Sequence, residues 1–87
     1  MNQEDIKCQE LLTLNGIRNI SSMKGSVNDI LTELRAILIR LEVNQTEDVI
    51  YYVKERILSF EEELETLDKS ESIFIKKLNK IYKVKGI

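Results

Sequence analysis

Residues 20–41 read ISSMKGSVNDILTELRAILIRL, and their apolar members recur alternately three and four positions apart: Ile20, Met23, Val27, Ile30, Leu34, Ile37 and Leu41. Residues 50–81, IYYVKERILSFEEELETLDKSESIFIKKLNKI, repeat the pattern as Ile50, Val53, Ile57, Phe60, Leu64, Leu67, Phe74, Leu78 and Ile81. Glu71 is the one polar member of this second stripe. A 3-4 alternation held over several heptads marks a helix that packs lengthwise against another helix. Only Glu42-Val43-Asn44-Gln45-Thr46 separates the stripes, room for a reversal and nothing more. The spacing therefore predicts an all-α chain, a long antiparallel two-helix hairpin of coiled-coil type forming one domain over 1–87. Its helices fall at about 3–42 and about 47–84, with the turn at about 43–46. The same register opposes Leu41 to Ile50, Ile37 to Val53, Leu34 to Ile57, Ile30 to Phe60, Val27 to Leu64, Met23 to Leu67 and, further out, Ile17 to Phe74.

The N-terminal apolar residues Ile6, Leu11, Leu12, Leu14 and Ile17 do not continue the first stripe, whose backward extension lands on Gly16 and Thr13. Asn15-Gly16 could end a short first helix, since glycine commonly follows a helix C-terminus. Ser26 and Asp29, after Gly25, match a capping box that would start a second one. A continuous but softened helix competes with both. It is preferred because Met23 and Val27 straddle Gly25 without losing phase. At the turn, Asn44 and Thr46 suit N-caps, and Glu47 and Asp48 suit the positive end of the second helix. Lys76, Lys77, Lys80, Lys83 and Lys85 gather at its negative end, and Gly86 can terminate it.

Composition excludes more than it assigns. Of the residues 43 % are hydrophobic and 32 % charged, but the net charge is only −2, which argues against a general nucleic-acid surface. No apolar run has the length of a membrane span, and the acidic start Met1-Asn2-Gln3-Glu4-Asp5 lacks the layout of a signal peptide. Cytoplasmic synthesis is expected, with any export independent of a cleavable signal. There is no histidine, and the single Cys8 can form neither an internal disulfide nor a Cys-His nucleophile. No cofactor, metal or small-molecule site is expected. Paired carboxylates such as Glu61 and Glu65 sit on a solvated acidic face, so an enzyme is disfavoured.

Several apolar residues fall outside the stripes: Leu31, Leu38 and Ile39 on the first helix, and Tyr51, Tyr52, Leu58, Ile73, Ile75 and Tyr82 on the second. An apolar face wider than a two-stranded seam is the pattern of a bundle member with two neighbours. Leu31, Leu38, Ile39, Tyr51, Tyr52, Ile75 and Tyr82 are therefore the expected partner interface, in a four-helix bundle formed with a second copy or with another helical protein. Tyrosines concentrate contact area, so Tyr51 and Tyr52 at the turn end are expected to carry the dominant contacts and the lysine end to tune association. Glu71, on the seam beside Leu67 and Phe74, needs a partner, and Arg18 or Lys24 can reach it across the hairpin.

A chain of this length with two long antiparallel helices and a short central turn resembles the small WXG-type proteins of type VII secretion and the helical partners of LXG toxins. Val43-Asn44-Gln45 stands where that family carries Trp-x-Gly. Tyr82 is followed four residues on by Gly86 rather than by the acidic residue of the Tyr-x-x-x-Asp/Glu export signal, and Tyr51 to Glu55 holds that spacing at the other end of the helix. The resemblance implies a non-enzymatic targeting or chaperone partner of a larger secreted effector. The alternative, from the residues alone, is a small cytoplasmic regulator that docks on an enzyme or transcription factor and blocks it.

Overall fold

The computed structural model describes residues 3–44 and 47–86 as two helices, α1 (Gln3–Asn44) and α2 (Glu47–Lys85). They lie antiparallel in a rod of 63 × 16 × 14 Å. The expected hairpin is present. α1 runs unbroken through Gly16 and Gly25, so neither glycine ends a helix. It also continues two residues past the expected boundary, to Asn44. Residues 45–46, between the two helices, and the capping contacts expected of Asn44 and Thr46 lie outside the described residues. Acidic side chains occupy the first turn of each helix, Glu4 and Asp5 in α1 and Glu47 and Asp48 in α2, where the helix dipole favours them. Gly86 ends α2 with φ +80° and donates its N–H to the Lys83 carbonyl at 3.2 Å. That left-handed conformation is one glycine adopts without steric cost.

On α2 every expected seam residue is buried or half-buried, from Ile50 through Ile81, Glu71 included. On α1 only four of the seven expected stripe residues hold. Ile20 and Val27 are buried, and Leu34 and Leu41 pack beside them. The alternate members Met23, Ile30 and Ile37 are instead 50 %, 40 % and 40 % exposed. Their places are taken by their neighbours Lys24, Leu31 and Leu38. Leu31, expected at the partner interface, is 1 % exposed and is the most completely buried large side chain of the core. Leu38 packs against that core as well. Both are corrections to the expected interface. The cause is that the column Ile20, Val27, Leu34, Leu41 has apolar neighbours on both sides, so a 3-4 stripe can be drawn through either set.

The corrected phase also removes the apparent break near the N-terminus. Ile6, Thr13 and Ile20 are one heptad apart, as are Ile17, Lys24 and Leu31. All six are buried or half-buried, so the seam runs the length of α1 without a register shift. Thr13 is buried, and its Oγ1 donates to the Gln9 carbonyl at 2.7 Å, which satisfies the hydroxyl within its own helix. Gly16 faces the Phe74 ring. A Cβ at this position would lie 3.0 Å from Phe74 Cε1, so close approach of the ring explains a glycine inside a helix. The Glu10–Lys85 ion pair, 2.6 Å, joins the helices at the open end.

Candidate interaction surface

A two-helix seam leaves two long edges, one on each side. One edge of this hairpin is ion-paired. Arg35 Nη2 lies 3.8 Å from Glu61 Oε1, and Lys54 Nζ lies 4.0 Å from Glu42 Oε1, each pair crossing from α1 to α2. These positions directly follow the seam columns in both helices, where antiparallel coiled coils place their interhelical charge pairs.

Lys24 is a charged residue within the α1 seam itself. Its ammonium donates to Glu71 Oε1 at 3.1 Å and lies 2.5 Å from Asp68 Oδ1. This answers the expectation about Glu71: Lys24, not Arg18, meets it. Hydrogen bonding to Asp68, then to Glu71, raises the Lys24 pKa above its ordinary 10.5. The lysine stem lies along the seam while the head reaches two carboxylates at its rim.

The opposite edge carries Met23, Ile30 and Ile37 of α1, one heptad apart, facing Val49, Arg56, Glu63, Ser70, Lys77 and Val84 of α2. Arg56 and Lys77 stack over the seam rings Phe60 and Phe74 at 5.1 and 5.4 Å to the centroid. Towards the open end this edge deepens into a cleft of about 500 Å³. Ile6, Leu12, Thr13, Phe74, Ile81 and Val84 line it, with Gln9, Lys77 and Lys80. Leu12 and Val84 are both mostly exposed. A shallower cavity of about 420 Å³ lies at the turn end among Glu42, Glu47, Ile50, Tyr51 and Lys54.

Of the expected interface residues, Ile39, Tyr51, Tyr52 and Ile75 are exposed and Tyr82 is half-buried. They do not form one patch: Tyr51 and Tyr82 are separated by roughly 46 Å of helix at 1.5 Å per residue. The surface the sequence pattern does not show is the apolar edge, whose Met23, Ile30 and Ile37 the 3-4 stripe places in the core. A signal for it was available, since Ile17 fits only the alternative phase, in one column with Lys24, Leu31 and Leu38. Among the described residues no group of three or more His, Cys, Asp or Glu side chains is arranged to hold a metal, and no helix is long and apolar enough to cross a membrane. Cys8 is exposed. Comparison with protein-family models, with curated proteins and with solved structures finds no match to this chain.

Proposed function

We propose that this hairpin is a non-enzymatic interaction module that docks partner helices along its apolar edge. The observation carrying the proposal is the exposed row Met23, Ile30, Ile37, continuous with the open-end cleft, on a rod whose other edge pairs its own charges towards the turn. Contiguous apolar surface on a small helical protein is characteristic of an interaction site. Ile39, Tyr51 and Tyr52 add exposed contact area at the turn end, whereas Ile75 and Tyr82, one and two heptads past Asp68, lie on the ion-paired side. A targeting or chaperone role for a larger type VII secretion effector is the biological setting proposed for this module, supported by the antiparallel architecture of two long helices.

The test is site-specific photo-crosslinking in the source cells, with a benzophenone side chain placed at Ile37 or Met23 on one edge and at Thr32 or Arg35 away from it. Adducts of defined mass are expected from the first pair and not from the second. Equal labelling at all four positions, or none, would sink the apolar-edge proposal.

A further inference from the structure

We propose that the open-end cleft binds a single-chain amphiphile with an anionic head, of the class of a long-chain carboxylate. The site goes beyond the docking of partner helices and does not depend on it, since Met23, Ile30 and Ile37 take no part.

The walls of the cleft are apolar. Ile6 and Leu12 of α1 and Ile81 and Val84 of α2 line it, and the Phe74 ring, packed on Gly16, bounds its inner end. Leu12 and Val84 are 65 % and 64 % exposed, so this apolar surface stands in water until something covers it. The Thr13 hydroxyl already donates to the Gln9 carbonyl at 2.7 Å and asks for no ligand group. A volume of about 500 Å³ is that of a small-ligand site, and a partner helix roughly 10 Å across does not fit inside it. From Phe74 to Val84 the wall runs roughly 15 Å, the extended length of about twelve carbons.

The charges on the rim have one sign. Lys77 and Lys80 line the cleft, and among the described residues no carboxylate does. Neither lysine has an ion pair among those residues, whereas Glu10, next to the cleft's Gln9, is held by Lys85 at 2.6 Å. Lys77 Nζ lies 5.4 Å from the Phe74 centroid, which sets a cation at the inner end. Helical side chains lean towards the N-terminus of their helix, so Lys80 reaches back to the same end. A carboxylate between the two ammonium groups leaves its chain to run along Ile81 and Val84 towards Ile6. Further along this edge Arg56 and Glu63 offer both signs of charge, and no anion is selected there. The site departs from the expectation of no small-molecule ligand because its walls come from opposite ends of the chain and meet only in the folded hairpin.

A methyl NMR titration of the full chain with laurate, a twelve-carbon carboxylate kept below its micelle concentration, tests this. Shifts at Ile6, Leu12, Ile81 and Val84 should saturate with a Kd below about 1 mM, while those of Met23, Ile30 and Ile37 stay in place. No saturable shift, or shifts confined to the second group, would overturn the site. Dodecyltrimethylammonium carries the same chain on a cationic head and should bind at least about tenfold more weakly. Equal affinity would overturn the anionic assignment. Lys77→Gln combined with Lys80→Gln should weaken laurate roughly tenfold while circular dichroism stays unchanged, and an unaltered affinity would remove the lysines from the site. Co-sedimentation with anionic phospholipid vesicles, without laurate binding, would assign the lysines to a membrane surface and overturn the proposal.

Discussion

The two edges of this hairpin are built from the same heptads and differ in how their polar groups are satisfied. On one, Arg35 meets Glu61 and Glu42 meets Lys54 across the seam, so its charges towards the turn are paired within a single chain. On the other, apolar Met23, Ile30 and Ile37 of α1 face Glu63, Ser70 and Lys77 of α2, and no cross-helix ion pair forms there among the described residues. A helix pair that small buries little of its surface, since each helix covers only one side of the other. The unfinished edge is where further burial is available, and the paired stretch from Arg35 to Lys54 leaves little to gain.

The sharpest way to break that comparison is to truncate the neighbours Ile30 and Leu31. Leu31 is 1 % exposed, so Leu31→Ala should cost about 3 kcal/mol through lost burial and a residual cavity. Ile30→Ala, at a 40 % exposed site, should cost under about 1 kcal/mol in the monomer, measured by denaturant unfolding at low protein concentration. A larger loss for Ile30→Ala than for Leu31→Ala would mean that the edges are exchanged.

The same two residues show what was legible in the sequence. On α2 the seam could be read directly, because Ile57, Leu64, Phe60 and Leu67 are flanked by charged Lys54, Arg56, Glu61, Glu63 and Asp68, and no rival stripe exists. On α1 the column Ile20, Val27, Leu34, Leu41 is flanked by Met23, Ile30, Ile37 on one side and Leu31, Leu38 on the other. Hydrophobicity then favoured Met23 over Lys24, and that one choice sent the whole phase to the wrong side. The deciding information lies on the partner helix. Glu71 in the α2 seam selects Lys24, and selecting Lys24 carries Leu31 and Leu38 inward. Local periodicity identifies a helix that packs, but the side that turns inward is settled by the facing helix when both sides are apolar. For this reason Leu31 and Leu38 belong to the core rather than to the expected interface.

The glycines sharpen the comparison at smaller cost. Gly25 is exposed with nothing near its missing Cβ, so Gly25→Ala should stabilise the hairpin by about 1 kcal/mol through helix propensity alone. Gly16 lies where α1 meets Phe74 on the apolar edge, and an added Cβ would approach the ring to 3.0 Å. Gly16→Ala should forfeit that gain, and Gly16→Val should destabilise by about 1–3 kcal/mol through overpacking. Thermal melts of the three variants decide it. Equal stabilisation by both alanines would show that Phe74 does not pack on Gly16.

The smallest effect concerns Lys24, which stands between the two edges because its stem lies in the seam and its head meets Asp68 and Glu71 at 2.5 and 3.1 Å. Its folded pKa is raised above the ordinary 10.5, first by the bond to Asp68 and then by that to Glu71. A group whose pKa is raised on folding lends stability that is fully present below the unfolded value and is lost as pH rises through the folded one. The melting temperature should therefore be flat in this respect at neutral pH and fall above about pH 10.5. Lys24→Arg keeps the charge through that range and should fall less, and the comparison cancels the titration of the tyrosines and the other lysines. Arg35→Ala supplies the opposite control, since its solvent-exposed pair with Glu61 spans 3.8 Å and should be worth less than about 0.5 kcal/mol at any pH. If wild type and Lys24→Arg melted in parallel up to high pH, the Lys24 contacts would contribute no more than the exposed pairs of the ion-paired edge. The seam would then owe its phase to Leu31 and Leu38 alone.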